Sequence, residues 1–333
     1  MSTPKQKIAV VGGGAIGGLI AARLARAGVA VDLVARGAHL EAIRRAGLTV
    51  VEGDTHYTQA VRATDAPASL GVQDIVFVCL KGQALVQSAA SFAPLVGPHT
   101  HIVSAMNGVP WWFLRAFGEA HAHTPLEAVD PGGVVSRALP PAQASGCVVH
   151  LSSSIAEPGV IRKGNGNGLI VGEGSARMAA RAQEARELLA HAGFDVTPGK
   201  PIHADIWAKL WGNMTMNPIS ALTRSTADVI LDDPLTLGLV STIMAEARTI
   251  GETLGIKLEM TIEQRHAITR KLGAFKTSML QDVEAGRTLE VEALLGAPYE
   301  LARRLGVAAP SLGMLYGLAR QLDANLEAAR RQR

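Results

Sequence analysis

The sequence predicts an α/β protein in which a domain of alternating strands and helices precedes an all-helical domain. Short apolar runs rich in β-branched residues alternate with helix-period patterns in the first part of the chain. A glycine-rich turn joins the first of these runs to the first helix. From Pro201 onward helical periodicity dominates and no strand is predicted. We therefore place the two domains at residues 1–199 and 200–333.

The glycine-rich turn has the spacing of a dinucleotide-binding fingerprint. Gly12, Gly14 and Gly17 occupy its three glycine places. They permit, in that order, a tight turn, close approach of a pyrophosphate, and close packing of the helix on the strand. Because the helix N-terminus directs unpaired N–H groups at phosphates, we predict a Rossmann-type domain. The turn residues expected to contact the cofactor are Gly12, Gly13, Gly14, Ala15, Ile16 and Gly17.

The end of the second strand indicates which dinucleotide binds. An enzyme for the unphosphorylated cofactor usually carries Asp or Glu there, but this chain has Arg36. A guanidinium can grip a 2′-phosphate with two parallel hydrogen bonds, so we predict NADP(H). Asp32 lies four residues earlier and belongs to the body of the strand. The alternative is that Arg36 is an ordinary surface arginine.

The remaining elements follow from periodicity and turn residues. The alternation predicts a parallel sheet with helices on both faces. Gly47 to Val61 predicts a hairpin around Glu52-Gly53-Asp54, and residues 164–168 predict a turn-rich connection. Predicted strands lie near 7–11, 30–34, 74–80 and 100–106. Predicted helices lie near 15–27, 38–46, 83–92, 175–191, 201–217, 234–254, 260–274, 289–305 and 312–328.

Composition narrows the function classes. The net charge is +3 without a dense Lys/Arg block, which argues against nucleic acid binding. The two cysteines have no metal-ligand spacing, and a structural disulfide is not expected. No apolar stretch reaches membrane-spanning length, and residues 1–6 lack a hydrophobic signal core. We expect a cytoplasmic enzyme with a small-molecule substrate.

A polar stripe lies on the first helix of the second domain. Lys209, Asn213 and Asn217 are spaced four residues apart, so they share one helix face. The other faces are apolar, and buried polar groups without partners are costly. A polar substrate cleft would supply partners, although a stripe facing water remains equally compatible. Pro218 predicts a break or kink directly afterwards.

Four further residues carry candidate chemistry. Lys81 and Asn107 follow predicted strands, where α/β sheets bind ligands, but a solvated lysine and a cap of a helix starting at Pro110 are alternatives. Ser278 could bind a substrate carboxylate or cap a helix. Glu290 begins a predicted helix, where negative charge is favourable without any function.

These segments together resemble the ketopantoate reductase (2-dehydropantoate 2-reductase) family from Lys7 to about residue 328. The resemblance includes the fingerprint, Leu80-Lys81, Asn107-Gly108, Glu157-Pro-Gly-Val-Ile, the helix from Lys209 to Asn217, and Lys276-Thr-Ser-Met-Leu-Gln-Asp. It implies NADPH-dependent reduction of a 2-keto acid. A homodimer through the helical domain is left open.

The resemblance also implies residue roles. Lys209 matches the catalytic lysine that protonates the substrate oxygen, and Glu290 matches the glutamate that binds the substrate hydroxyl. Asn107 lies between cofactor and substrate in this comparison. The implied substrate contacts are Asn213, Asn217 and Ser278, and the implied cofactor-phosphate contacts are Arg36 and Lys81.

Two departures from the family pattern concern the substrate. Leu295 replaces an amide side chain after the glutamate, and Ala84 replaces a glutamine after Lys81. They leave open a related branched 2-keto acid as the substrate in place of ketopantoate. A dehydrogenase of the β-hydroxyacid type is a further alternative, although Ser278 together with Glu290 favours the first interpretation. A non-catalytic NADP(H)-binding sensor is another alternative. Such a sensor would not need all five polar groups of the candidate substrate site, which are Lys209, Asn213, Asn217, Ser278 and Glu290.

Overall fold

The computed structural model describes residues 6–118, 124–199 and 201–332. Residues 1–5, which make up most of the segment considered above for a targeting signal, lie outside it. The chain forms two compact units. The first unit comprises Met1–Met106, Trp111–Pro125 and Gly132–Asp205. The second unit comprises Asn107–Pro110, Leu126–Pro131 and Ile206–Arg333.

The first unit is built on a ten-stranded sheet. Its strands are β1 (Ile8–Val11), β2 (Asp32–Val34), β3 (Leu48–Glu52), β4 (Thr55–Gln59), β5 (Arg62–Thr64), β6 (Ile75–Val78), β7 (His101–Ser104), β8 (Ala144–Glu157), β9 (Val160–Glu173) and β10 (Asp195–Pro198). The strand order is β4-β3-β9-β8-β7-β6-β1-β2-β5, and β10 pairs with β9. The predicted early strands and the hairpin around residues 52–54 are confirmed.

The sheet is mixed, whereas the alternation predicted a parallel one. Strands β5, β2, β1, β6, β7 and β8 are parallel neighbours, as expected. The pairs β3–β4 and β8–β9 are antiparallel. Their connections are two residues long, Gly53-Asp54 and Pro158-Gly159, and so short a connection can join only antiparallel strands.

The glycine-rich segment 164–168 lies inside β9, so the predicted connection there is wrong. The turn between β8 and β9 falls instead at Gly159, whose φ is +84°. Within β9, Gly166 has φ +78° at a point where the register against β8 shifts. The glycines therefore accommodate a bulge in a long strand, which local sequence does not distinguish from a turn.

The helices of the first unit lie between the strands in chain order. They are α1 (Ala15–Arg26), α2 (Gly37–Ala46), α3 (Gly82–Phe92), a short α4 (Val134–Ala138) and α5 (Ala179–His191). Leu19, Ile20 and Leu24 of α1 are fully buried in the core that includes β1 and β6. The helix begins at Ala15, directly after the glycine turn, and this packing holds it against the sheet.

Helices are the regular secondary structure that the described residues of the second unit form. It contains most of α6 (Ile202–Thr223), then α7 (Ala227–Asp232), α8 (Pro234–Thr253), α9 (Ile262–Arg270), α10 (Ser278–Glu284), a π-helix (Glu292–Gly296), α11 (Ala297–Arg304) and α12 (Pro310–Arg331). Helix α6 packs on α8, where Trp207 and Trp211 donate their indole N–H groups to the carbonyls of Ala247 (3.2 Å) and Met244 (2.7 Å).

Helix α6 continues past Pro218 to Thr223, so the break predicted at that proline is wrong. Pro218 removes one backbone donor. The residues around it are nevertheless buried, with Met214 at 0% and Ile219 at 2% exposure. Burial of these side chains favours the helical path over a break at the proline.

None of the helices in the described part of the chain is long and apolar enough to cross a membrane.

Candidate functional site

The glycine turn of the first unit fits a dinucleotide pyrophosphate. The N–H groups of Gly12 and Gly13 both donate to the Val34 carbonyl, at 3.1 and 2.9 Å, and Gly12 has φ +100°. A Cβ on Gly17 would lie 2.9 Å from the Cβ of Cys79, so a side chain there would push α1 off the sheet. By contrast, no atom of the described residues lies within 4 Å of a Cβ on Gly14.

The start of α1 leaves its backbone donors available to an anion. Gly14 is the N-cap residue and no side chain caps the helix there. The first turn contains no acidic residue. Ala15 and Ile16, the first helical residues, are half-buried. Since helix N-termini attract phosphates, these features match the requirements of a bound dinucleotide.

Arg36 lies two residues beyond β2, at the N-cap position of α2. It is exposed, and among the residues that the structure describes it forms no ion pair. No acidic residue is present in the first turn of α2. Asp32, the only acidic residue of β2, forms an ion pair with Arg62 of β5. The carboxylate of this strand is therefore already engaged by a cation. The contact of Arg36 with a 2′-phosphate stays a prediction.

Lys81 follows β6 and occupies the N-cap position of α3. It is half-buried, as is Ala84, one of the two departures from the family pattern. A cation at this end of a parallel strand is placed where α/β sheets bind cofactors. Its contact with the cofactor stays a prediction.

Within the second unit, three of the predicted site residues meet. The Lys209 ammonium donates to the Asn107 side-chain oxygen at 2.8 Å. The Asn107 amide nitrogen donates to a carboxylate oxygen of Glu290 at 3.5 Å, which is a long hydrogen bond. All three side chains are half-buried. These residues are far apart in sequence, and Asn107 links the cation to the anion.

The backbone after Asn107 is held against the π-helix. Gly108 has φ +77°, and a Cβ there would lie 2.6 Å from the carbonyl carbon of Ala293. The Val109 N–H donates to the Ala293 carbonyl at 2.9 Å. Because the π-helix begins two residues after Glu290, this contact sets the distance between Asn107 and Glu290. Single π-turns are frequent at functional sites.

Asn107 is not a helix cap, so that alternative is wrong. No helix begins at Pro110; a turn at Trp111 and Trp112 leads to a 3₁₀-helix at Phe113–Phe117. The side chain of Asn107 is instead used by Lys209 and Glu290. Glu290 lies just before the helical run that starts at Val291, rather than within its first turn.

The rest of the polar stripe on α6 is more buried than a water-facing stripe would be. Asn213 is half-buried and Asn217 is only 6% exposed. No described residue hydrogen-bonds the Asn217 amide. A buried amide favours a hydrogen-bonding partner, so this burial supports the interpretation as a ligand site over the solvent-facing one.

Ser278 is exposed at the first position of α10, and it is not the cap. Thr277 is the N-cap residue, since its hydroxyl accepts from the Leu280 N–H at 3.2 Å. Adjacent serine and threonine residues compete for this position, and local sequence does not decide between them. The capping alternative for Ser278 is therefore wrong, and its role at the substrate stays a prediction.

Gly108 and Ala293 are the residues that sequence reasoning missed as determinants of the site. The only local signal was a glycine directly after a polar residue near a strand end. The contact partner lies far away in the chain, in a π-helix that no periodicity predicts. Leu295, the second departure from the family pattern, is fully buried in that π-helix.

Models of one protein family match both halves of the chain. Residues 8–114 match the family model described as ketopantoate reductase PanE/ApbA, and residues 201–323 match its C-terminal model. A 2-dehydropantoate 2-reductase from Mesorhizobium japonicum is 41% identical over 317 residues, covering 95% of this chain and 97% of the relative.

Solved structures give the same picture. A candidate ketopantoate reductase from Ralstonia solanacearum MolK2 is 46% identical with a TM-score of 0.92, covering 96% of this chain and 98% of the other. A dimeric ketopantoate reductase from Staphylococcus aureus shares the fold at 21% identity, with a TM-score of 0.73 and coverage of 96% and 99%.

Replacing Gly108 with alanine is expected to displace Asn107. The new Cβ would meet the Ala293 carbonyl, and the residue would be held at positive φ. We expect about a hundredfold lower kcat/KM, as for other small misplacements of a positioning group, with NADPH affinity little changed. Steady-state kinetics and NADPH titration measure both.

Gly273→Ala is the matched control. Gly273 also has positive φ, +61°, but no atom of the described residues lies within 4 Å of its Cβ position. An equal loss of activity in both variants would show that backbone strain alone is responsible and that the contact with Ala293 does not position Asn107.

Proposed function

Because the chain belongs to the ketopantoate reductase family, we propose that it reduces 2-dehydropantoate (ketopantoate), a branched 2-keto acid, to pantoate. It is an NADP-dependent oxidoreductase, and the reduced nicotinamide supplies the hydride. The observation that carries the proposal is the hydrogen-bonded series of Lys209, Asn107 and Glu290, in the unit that matches the C-terminal family model.

Lys209 acts as the general acid in this proposal. Negative charge grows on the carbonyl oxygen as the ketone carbon is reduced. An ammonium within hydrogen-bond reach stabilises that charge and then supplies the proton. The 2.8 Å hydrogen bond to Asn107 holds the ammonium in one direction before substrate binds, so little reorganisation is needed.

Glu290 and the remaining polar groups hold the rest of the substrate. The Glu290 carboxylate accepts a hydrogen bond from the hydroxyl at the far end of ketopantoate. Asn213, Asn217 and Ser278 provide further polar contacts. The buried amide of Asn217 supports this assignment, because its hydrogen-bonding capacity is best used by a bound molecule.

The glycine turn, the start of α1, Arg36 and Lys81 bind NADP(H). Three observations support this assignment. The N-terminus of α1 has no side-chain cap, no atom of the described residues lies within 4 Å of a Cβ on Gly14, and Asp32 is paired with Arg62. We assign cofactor binding to residues 1–199 and substrate binding to residues 200–333, with Asn107 as the exception from the first segment.

We also propose a homodimer through the helical unit. The Staphylococcus aureus relative is dimeric, and several large apolar side chains of this unit are exposed. The most exposed of those described are Leu235, Met314 and Leu318, at 83%, 65% and 57% exposure. A cytoplasmic location remains part of the proposal, because both cysteines are free thiols.

The substrate assignment is tested by following NADPH oxidation with a panel of 2-keto acids. We expect ketopantoate to give the highest kcat/KM, ahead of 2-ketoisovalerate and pyruvate, because only ketopantoate offers a hydroxyl to Glu290. Preference for another member of the panel would replace ketopantoate as the substrate. No oxidation with any of them would overturn the proposed reaction.

Replacing Lys209 with alanine is expected to lower kcat at least about a hundredfold, as for loss of a general acid. NADPH affinity, measured by fluorescence titration, should stay unchanged because the cofactor turn is untouched. Lys257→Ala, at an exposed lysine of the same unit, is the control and should retain activity. An unchanged kcat would remove Lys209 from the mechanism.

Replacing Arg36 with aspartate is expected to weaken NADPH binding far more than NADH binding, because a charge-assisted contact becomes a repulsive one. Dissociation constants for the two cofactors measure the difference. Arg45→Asp changes the same charge on the same helix, at another exposed position, and should affect both cofactors little. Equal losses in Arg36→Asp would show that Arg36 does not contact the 2′-phosphate.

A further inference from the structure

Arg265 of α9 is a cation with no carboxylate partner among the residues that the structure describes. It is half-buried, and its Nε is shielded from solvent with no hydrogen-bond partner. In the described part of the chain it forms no ion pair. Burial lowers the pKa of its guanidinium below the usual value. Partial burial of an ionised group without a partner carries a desolvation cost, which a bound anion would offset.

The Arg265 guanidinium packs against α6, the helix that carries Lys209. A Cβ on Gly212 of α6 would be 2.7 Å from Nε and 2.8 Å from Cζ of Arg265. Any side chain at position 212 would therefore displace the guanidinium. Positions 209 and 212 are three residues apart on one helix, so they are neighbours on its surface, and Asn213 follows directly.

A second arginine shows how the same unit treats a purely structural cation. Arg248 stacks on the Trp211 ring at 4.8 Å. It donates to the Leu258 and Met260 carbonyls at 3.0 and 2.6 Å and lies 4.0 Å from Glu252. The protein therefore supplies acceptors for the guanidinium of Arg248, whereas the shielded Nε of Arg265 has no acceptor among the described residues.

We propose that Arg265 binds the carboxylate of the 2-keto acid. This inference rests on the proposed function, because it concerns the same substrate. In a 2-keto acid the carboxylate is bonded directly to the carbon that is reduced. A cation for that carboxylate must therefore lie near the group that holds the ketone oxygen, and Arg265 lies against Gly212, three residues from Lys209 on α6.

Arginine suits this role better than a second lysine. Its planar guanidinium can hold a carboxylate with two parallel hydrogen bonds, which fixes the plane of the adjacent ketone as well as its position. The guanidinium also keeps its charge when desolvated, so it does not compete with Lys209 as a proton donor. Arg265 thereby makes the enzyme selective for keto acids over neutral ketones.

The test compares an acid with its uncharged analogue. Arg265→Met should raise KM for the keto acid about a hundredfold, because a charge-assisted contact is lost. KM for the methyl ester or amide of the same acid should not change, and neither should NADPH affinity. Arg265→Lys should raise the KM for the keto acid less than Arg265→Met does, because the positive charge is kept. A KM that rises equally for acid and ester would overturn the assignment.

Two further variants separate binding from folding. Arg270→Gln removes an exposed arginine of the same helix, one that pairs with Asp232, and should leave KM for the keto acid unchanged. Gly212→Ala keeps the charge but displaces it, and should raise KM for the acid. The thermal midpoint of ligand-free Arg265→Met should equal or exceed that of the wild type, because a half-buried charge without a partner is removed. A lower midpoint would identify Arg265 as structural.

The two proposals fail differently. Wild-type enzyme that oxidises NADPH with ketopantoate, together with an Arg265→Met variant of unchanged KM, overturns the Arg265 assignment alone. Wild-type enzyme that is inactive on every 2-keto acid overturns the proposed function. In that case calorimetric titration with ketopantoate, without cofactor, still tests Arg265: loss of acid binding in Arg265→Met supports the carboxylate site, and equal binding in both proteins rejects it.

Discussion

The amide of Asn107 is the contact on which the candidate substrate site depends. A side-chain amide has an acceptor at one end and donors at the other. Here the Asn107 Oδ1 accepts a hydrogen bond from the Lys209 ammonium, and the Asn107 Nδ2 donates to the Glu290 carboxylate. The amide therefore fixes the direction of the ammonium while keeping the two opposite charges apart. Direct pairing of Lys209 with Glu290 would use both groups before a substrate could.

This arrangement depends in turn on a backbone contact. Asn107 is held by the turn at Gly108, which fits against the π-helix only because the residue has no Cβ. The π-helix begins two residues after Glu290, so one contact positions a group from each of two distant segments. The position of Lys209 comes from the opposite face of α6, where Trp207 and Trp211 are buried and hydrogen-bonded to α8.

The two halves of the chemistry use different physical means. In the proposed function, the first unit binds the cofactor mainly with backbone N–H groups, a helix N-terminus and glycines that allow close approach, all of which occur within a short stretch of chain. The proposed substrate contacts of the second unit are side chains from α6, α9 and the segments around Asn107 and Glu290. These side chains come from distant parts of the chain, and the proposed carboxylate contact of Arg265 is one example.

The sequence by itself determined the features that depend on neighbouring residues. The glycine turn, α1, the hairpin at residues 52–54 and the stripe on α6 all follow from spacing within a few turns, because local sterics and periodicity decide them. The tertiary structure decided the rest. The bulge at Gly166, the helix through Pro218, the π-helix after Glu290 and the contacts of Gly108 with Ala293 and of Gly212 with Arg265 arise from packing between segments far apart in the chain. Such packing outweighs the small local preferences that sequence patterns report.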